Sequence, residues 1–316
     1  MKGLPFELKK RKIIYKEKGF KVSKKHPDYS LQELFNFGVI NLDKPKKMYC
    51  KQLDNKLVHI LETPRIGHAG TLDPMVEGVL PILVQRATKI SEIMSNAGKV
   101  YEGTLFFHDE VKESDVKKVL KSFVGKIRQF PPKHSAIKRQ WRTREIYFIE
   151  VLKFKGRYLD FKVGCEAGTY IRTLCVDIGK KIGVGAHMIR LKRTQVASLK
   201  LEDSIDFYKL ISVYQDYLKT KNESELKKVF ITKEQALAHL PKVWVDNDLI
   251  FRLKNGSPVF APGILALESG IEKNEQVAIV SEDNEVLATG TAEMDSEQMR
   301  KSNHGLAIKT NKVFIK

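Results

Sequence analysis

At 316 residues, 42% of them hydrophobic, the chain is long enough for two modules with cores of their own, and no apolar run approaches the ~20 residues of a membrane-spanning helix. The start MKGLPFELKKRKIIYKEKG lacks the apolar core of a signal peptide, and the three cysteines, Cys50, Cys165 and Cys175, form no C-x-x-C pair; export, a disulfide framework and a zinc site are disfavoured, and buried thiols in a reducing, cytoplasmic setting are expected. The net charge of +18 points to a polyanion such as nucleic acid.

That charge is unevenly spread. Residues 1–37 carry ten Lys/Arg and four Asp/Glu (+6), residues 245–316 eight and eleven (−3), which leaves +15 on the middle of the chain. In chain order, residues 1–37 read as a basic extension that docks on the body or stays a disordered tail, with a capping box at Ser30/Glu33. GVINLDKP reads as a buried strand, Gln52–Glu62 as a helix, and GVLPILVQRATKI as a strand running into a helix. Val100–Phe107 alternates like a strand, and Ser114–Phe123 has helical spacing with Ser114 as N-cap. Strands are expected at Ile146–Phe154 and Tyr158–Glu166 around a Lys155-Gly156-Arg157 turn, then a helix over Tyr170–Ile182 that stops at Gly183. The polar stretch 219–228 reads as a surface loop or boundary, and Lys233–Leu240 as a short helix. From Pro241, short apolar runs broken by NGSP, APG, ESG and EDNE suggest a small β-barrel. The fold class is α+β followed by an all-β module, divided as 1–37, 38–240 and 241–316.

Three stretches can carry chemistry. In Gly67-His68-Ala69-Gly70-Thr71-Leu72-Asp73-Pro74, two glycines permit tight turns and Pro74 keeps Asp73 out of the helical region. Such a loop can present one carboxylate at a cleft, although taken alone it is more simply a turn. In Cys165-Glu166-Ala167-Gly168-Thr169-Tyr170-Ile171-Arg172, a strand breaks at Gly168 and a helix opens with Arg172, able to meet a carboxylate or phosphate or to lie on the surface. Residues 131–144 (PPKHSAIKRQWRTR) hold Lys133, Lys138, Arg139, Arg142, Arg144 and Trp141 without an acid. Cations there suit phosphates, and an indole offers a stacking plane for an unpaired base. Arg190, Lys192 and Arg193 are candidates to extend that surface.

Together these stretches resemble the TruB/dyskerin family of pseudouridine synthases. The resemblance implies that Asp73 is the nucleophile, that Tyr101 of Lys99-Val100-Tyr101 stacks on the target base, and that Arg172 pairs with the carboxylate. GVGAHMIRLKRT resembles a further motif, which puts Leu191 in the uracil pocket. His68 is expected either at the flipped nucleotide or as a residue that orders the loop, Lys44 at phosphate and Arg193 on the RNA. The segments GVINLDKP, PPKHSAIKRQWRTREIY, CEAGTYIRTLC and GVGAHM look like the dyskerin branch, in its archaeal form, which is the catalytic subunit of box H/ACA ribonucleoproteins. The C-terminal segment is similar to a PUA domain, with Gly256, Pro262 and Gly263 in its RNA-binding opening segment and the basic extension packed on it. One departure lies at Lys44-Pro45-Lys46-Lys47-Met48-Tyr49-Cys50, where the family reads KPKGPTS.

The resemblance implies uridine-to-pseudouridine conversion in ribosomal RNA, with transfer RNA as a second candidate substrate, and with no cofactor and no metal. The partners it implies are a guide RNA, two small accessory proteins and a kink-turn-binding ribosomal-type protein; no membrane is involved. A stand-alone synthase acting on the tRNA T-loop is the alternative enzyme. A non-catalytic ribonucleoprotein scaffold and a general DNA-binding protein are the alternatives of other classes.

Overall fold

Alternating and fully apolar runs assemble into two sheets in the computed structural model, in which residues 3–131 and 140–315 are described. The strands that matter here are β1 (Ile13–Tyr15), β2 (Val39–Lys44), β3 (Ile66–His68), β4 (Glu77–Val84), β5 (Lys99–Phe107), β6 (Gly125–Gln129), β7 (Arg142–Lys155), β8 (Tyr158–Cys165) and β9 (Ala186–Val196). The larger sheet runs from the two-residue strand Ile205–Asp206 through β2, β4, β9, β5, β8 and β7 to β6, with β3 paired on β4. Most pairs are antiparallel; β4 meets β9 in parallel at Glu77↔Lys192 and Gly78↔Arg193. β2 and β4 are buried almost end to end, as central strands covered on both faces must be; β4 is nearly all apolar, whereas β2 buries Asn41 and Lys44 among its apolar residues.

Helices flank this sheet. Cys50–Ile60 buries Leu53 and Leu57, and Ile171–Ile182 buries Ile171, Leu174, Cys175 and Ile178 before Gly183, at φ +98°, ends it in the left-handed conformation a side chain would oppose. The Ser30/Glu33 capping box forms at the head of Leu31–Phe37. Three expectations need correction. Helix Glu113–Lys121 is not capped by Ser114, which lies inside it, and starts after Lys112 with no side-chain cap. The run after β4 is a 3-10 turn, Gln85–Ile90, before helix Ser91–Asn96. The stretch 219–228 is not a loop: helix Phe207–Thr220, capped by Asp206, ends there, and Ser224–Val229 follows with Leu226 buried.

The second sheet has seven strands and lies at the C-terminal end, curled around a core of Val243, Val259, Ile264, Val277, Leu287 and Ile308. Its edge is β1, paired antiparallel with Ile264–Glu268. A shared apolar cluster joins the two sheets: Val79, Leu83, Ile90 and Met94 from one side, Trp244, Val280, Val286 and Phe314 from the other. The indole of Trp244 donates to Asn284 Oδ1 at 2.9 Å, and Asn284 donates to the carbonyls of Ser23 and Lys25. The extension, the body and the barrel are thereby tied at one point. All three cysteines are buried and free.

Candidate active site

β3 and β4 are antiparallel neighbours, so the loop 69–76 between them must turn back over the sheet. Asp73 is at its tip, 59% exposed, and its carboxylate accepts a hydrogen bond from the guanidinium of Arg172, 57% exposed, in the first turn of helix Ile171–Ile182. This ion pair spans a sequence separation of 99 residues. Below it, Tyr101 on β5 is 8% exposed and Leu191 on β9 is buried, both in the cluster that includes Leu72, Val76 and Ile171. Burial pushes the Tyr101 phenol above its usual range, against a smaller opposite pull from Arg193. The phenol therefore remains neutral, in the apolar cluster that also holds Leu72, the residue before the exposed carboxylate.

The loop is pinned on either side of Asp73. Leu72 donates its N–H to Cys50 Sγ, and the thiol donates back to the Leu72 carbonyl, both at 3.3 Å. The Pro74 carbonyl accepts from the Lys47 backbone N–H at 2.8 Å and from Lys44 Nζ at 3.3 Å. Arg193 donates to the carbonyls of Gly70 and Val79, each at 2.7 Å. Gly70 sits at φ +75°, and a Cβ there would come within 3.1 Å of Lys99 Cε. Lys99 is itself buried beside Arg193; desolvation first, then that neighbouring cation, lowers its ammonium to about 7.

Several residues expected at the substrate are instead structural. Lys44 is fully buried and gives its protons to the carbonyls of Pro45, Met48 and Pro74, so it braces the loop rather than meeting phosphate. Arg193 is 1% exposed and turned away from RNA; its guanidinium donates to the carbonyls of Gly70 on the loop and Val79 on β4. His68 has Nδ1 2.8 Å from Asp54 Oδ2 and Nε2 3.1 Å from Thr71 Oγ1, which commits both ring nitrogens to ordering the loop. The departure at 44–50 does not break the turn. Lys47 adopts φ +62°, the region that favours glycine, and its N–H reaches Pro74.

Beside Arg172 opens a groove of about 650 Å³ along the same helix, lined by Phe123, Ile127, Arg128, Trp141, Lys180 and Lys181. Trp141 is 60% exposed, packs edge-on against Phe130 at 5.5 Å and carries Arg128 over its ring at 5.3 Å. Arg142 and Arg144 lie on β7, outside the lining of this groove, Arg144 beside Glu166. Lys133, Lys138 and Arg139 lie outside the described residues. Lys192 pairs with Asp43 and Arg190 with Glu77, so that end of β9 carries less free charge than its sequence suggests. On the barrel, Gly256 turns the chain after Ile250–Lys254, and Pro262 and Gly263 form a 3-10 turn. The extension reaches this edge: Lys16 Nζ donates to the carbonyls of Ala261 and Ser302, both at 2.6 Å, while Lys9 and Arg11 pair with Glu275. Among the described residues no helix is long and apolar enough to cross a membrane, and no cluster of three or more His, Cys, Asp or Glu is placed to hold a metal.

Two residues at the site escaped sequence reasoning. Cys50 is one. The other is Gln129, 41 residues from Tyr170, whose buried side chain accepts from the Tyr170 N–H at 2.9 Å and donates to its carbonyl at 3.1 Å.

Comparison with known proteins agrees with this geometry. Residues 58–171 match the N-terminal domain of the TruB family pseudouridylate synthases, 172–238 the C-terminal domain of tRNA pseudouridylate synthase B, and 241–314 the PUA domain. The chain is 37% identical to a probable tRNA pseudouridine synthase B of Pyrococcus abyssi, over 99% of this chain and 95% of that one. Its counterpart in Pyrococcus furiosus is 38% identical over 99% and 93%. Among solved structures, a chain of a Cbf5–Nop10–Gar1 complex superposes with a TM-score of 0.93 at 37% identity, covering 99% of this chain and 97% of that one. A chain of an H/ACA ribonucleoprotein bound to a substrate RNA containing 2′-deoxyuridine gives 0.91 at 35%, with the same coverage. The chain belongs to the TruB family and is a pseudouridine synthase with a C-terminal PUA domain.

Proposed function

We propose that the chain isomerises uridine in ribosomal RNA, and in some transfer RNA, under the direction of a box H/ACA guide RNA, with Asp73 as the nucleophile. The observation that carries the choice of nucleophile is the exposed Asp73–Arg172 ion pair, on a loop whose Leu72 shares an apolar cluster with Tyr101 and Leu191. A stacked uridine hides its glycosidic bond, so it must be flipped out at a cost of a few kcal/mol. Tyr101 stacks against the flipped base and Leu191 lines its pocket. Arg172 orients the carboxylate and keeps a cation at the reacting centre. The carboxylate attacks C1′ of the ribose or C6 of the base and the N1–C1′ bond breaks. The uracil then turns and C5 bonds C1′ as the bond to Asp73 breaks and its carboxylate is released; the C5 proton leaves and N1 gains one.

The strand carrying the uridine continues along the groove of Arg128, Trp141, Lys180 and Lys181, with a base on the indole and phosphates on the cations. Guide dependence rests on the likeness to a chain of the H/ACA particle over nearly its whole length. The partners are then two small accessory proteins, counterparts of Nop10 and Gar1, and a kink-turn-binding ribosomal-type protein on the guide. The PUA domain grips the ACA end of the guide at the edge that carries Gly256, Pro262 and Gly263. A stand-alone tRNA T-loop synthase is the second reading, favoured by the names of the sequence relatives. Mass-spectrometric detection of pseudouridine separates the two. Conversion of a ribosomal RNA fragment only when the matching guide is present is expected. Full conversion of that fragment without guide overturns guide dependence, and fast T-loop conversion by the chain alone supports the second reading.

A further inference from the structure

Asp73 lies in the loop 69–76 and Arg172 in the first turn of a helix; both side chains are exposed, and their charged groups meet. The Asp73 carbonyl accepts from the Val76 N–H at 3.0 Å, but neither side chain is buried against the body. Each is held through a neighbour, by the same device. A buried side chain takes both backbone groups of a nearby residue, donor and acceptor together. Cys50 grips the N–H and C=O of Leu72, one residue before Asp73. Gln129 grips the N–H and C=O of Tyr170, two residues before Arg172. Cys50 is 3% exposed and Gln129 1%, so these bonds form in dry surroundings where water does not compete. Burial also pushes the Cys50 thiol up, which keeps it protonated and able to donate to the Leu72 carbonyl.

The N–H and C=O of one residue belong to the two peptide planes that flank its Cα, so the pair of bonds holds both planes, where one bond would leave the other plane free to turn. Leu72 cannot turn without breaking both, and Leu72 sets where the next Cα, that of Asp73, points its side chain. Tyr170 opens the helix as its N-cap, its carbonyl accepting from both the Leu174 N–H and Gln129, so Gln129 ties the start of Ile171–Ile182 to β6. We infer that Cys50 and Gln129 are paired positioning residues that set the two ends of the Asp73–Arg172 ion pair and so align the carboxylate for attack. This rests on the reading of Asp73 as nucleophile.

The test uses the full chain, with the RNA that the unmodified chain converts in the assay above, and variants Cys50→Ala, Cys50→Ser and Gln129→Met. Single-turnover rate and RNA affinity are measured separately, well below each variant's own melting temperature. Loss of alignment by about an ångström lowers a rate by up to roughly a hundredfold. Cys50→Ala and Gln129→Met are each expected to slow the chemical step by about ten- to a hundredfold, with RNA affinity changed by less than about threefold. Cys50→Ser, which restores a donor and an acceptor, recovers most of the rate. The double variant Cys50→Ala/Gln129→Met falls short of the product of the single effects, because a pair misaligned at one end loses little more at the other. Either single variant at full rate, rate and affinity falling together, a serine variant as slow as the alanine one, or fully multiplicative effects would each overturn the inference. Asp73→Asn is the control that separates the two ideas. If it retains activity, the nucleophile assignment fails; if it is inactive while Cys50→Ala is fast, only the positioning claim fails.

Discussion

Asp73 meets water and Arg172 while the backbone on either side of it is bonded into the body. The arrangement suits a nucleophile, which must be free to react and yet fixed in direction. Three buried cations, Lys44, Lys99 and Arg193, lie around this loop, and the bonds each donates go to backbone carbonyls. Removing one strands those carbonyls, so Lys44→Met is expected to destabilise the fold by about 2–4 kcal/mol in urea titrations. Lys99 adds a pH dependence. Its proton is held more weakly in the folded state than in the unfolded one, so unfolding takes up protons. Stability therefore rises with pH from about 7 toward the ordinary lysine range. Lys99→Met should abolish that rise, seen by comparing urea midpoints near neutral pH and at about pH 9.5. At this scale the local pattern around Asp73 and Arg172 showed only a turn and a helix start; the family resemblance singled the two out, and the structure brings them together. The sequence was silent on Cys50 and Gln129, because a backbone grip across 22 or 41 residues leaves no local pattern. Arg193 and Lys44 misled for the opposite reason: a basic residue reads as surface until its carbonyl partners are seen.

Among the elements, strands that alternate or bury both faces declared themselves, as β2, β4, β5 and β8 do. Helix ends were less legible. Ser114 has a capping side chain but lies one residue inside its helix, and the charged stretch 219–228 hides two helices whose buried sides come from Tyr214 and Leu226. The groove beside helix Ile171–Ile182 offers one exposed indole between cations. Trp141→Ala is expected to weaken binding of single-stranded RNA by about 1–3 kcal/mol with little change in melting temperature, measured by fluorescence anisotropy. On the other sheet, β1 covers an edge that would otherwise be free to pair. Lys16→Met removes two bonds to barrel carbonyls and should cost about 1–2 kcal/mol of stability.

For the whole molecule, charge and burial answer different questions. The net +18 predicts binding to RNA that weakens steeply with salt, but the barrel's own acids are partly met by Lys9 and Arg11 of the extension rather than by a ligand. The shared core around Trp244 joins the PUA barrel to the catalytic sheet, so RNA held at one is presented to the other at a fixed offset. The central claim is that the chemistry runs through one carboxylate. Its most direct measurement is the pseudouridine formed in single turnover by Asp73→Asn against the unmodified chain, with RNA affinity measured alongside. The account predicts no detectable product with affinity retained to within about twofold. Substantial conversion by the asparagine variant would contradict it.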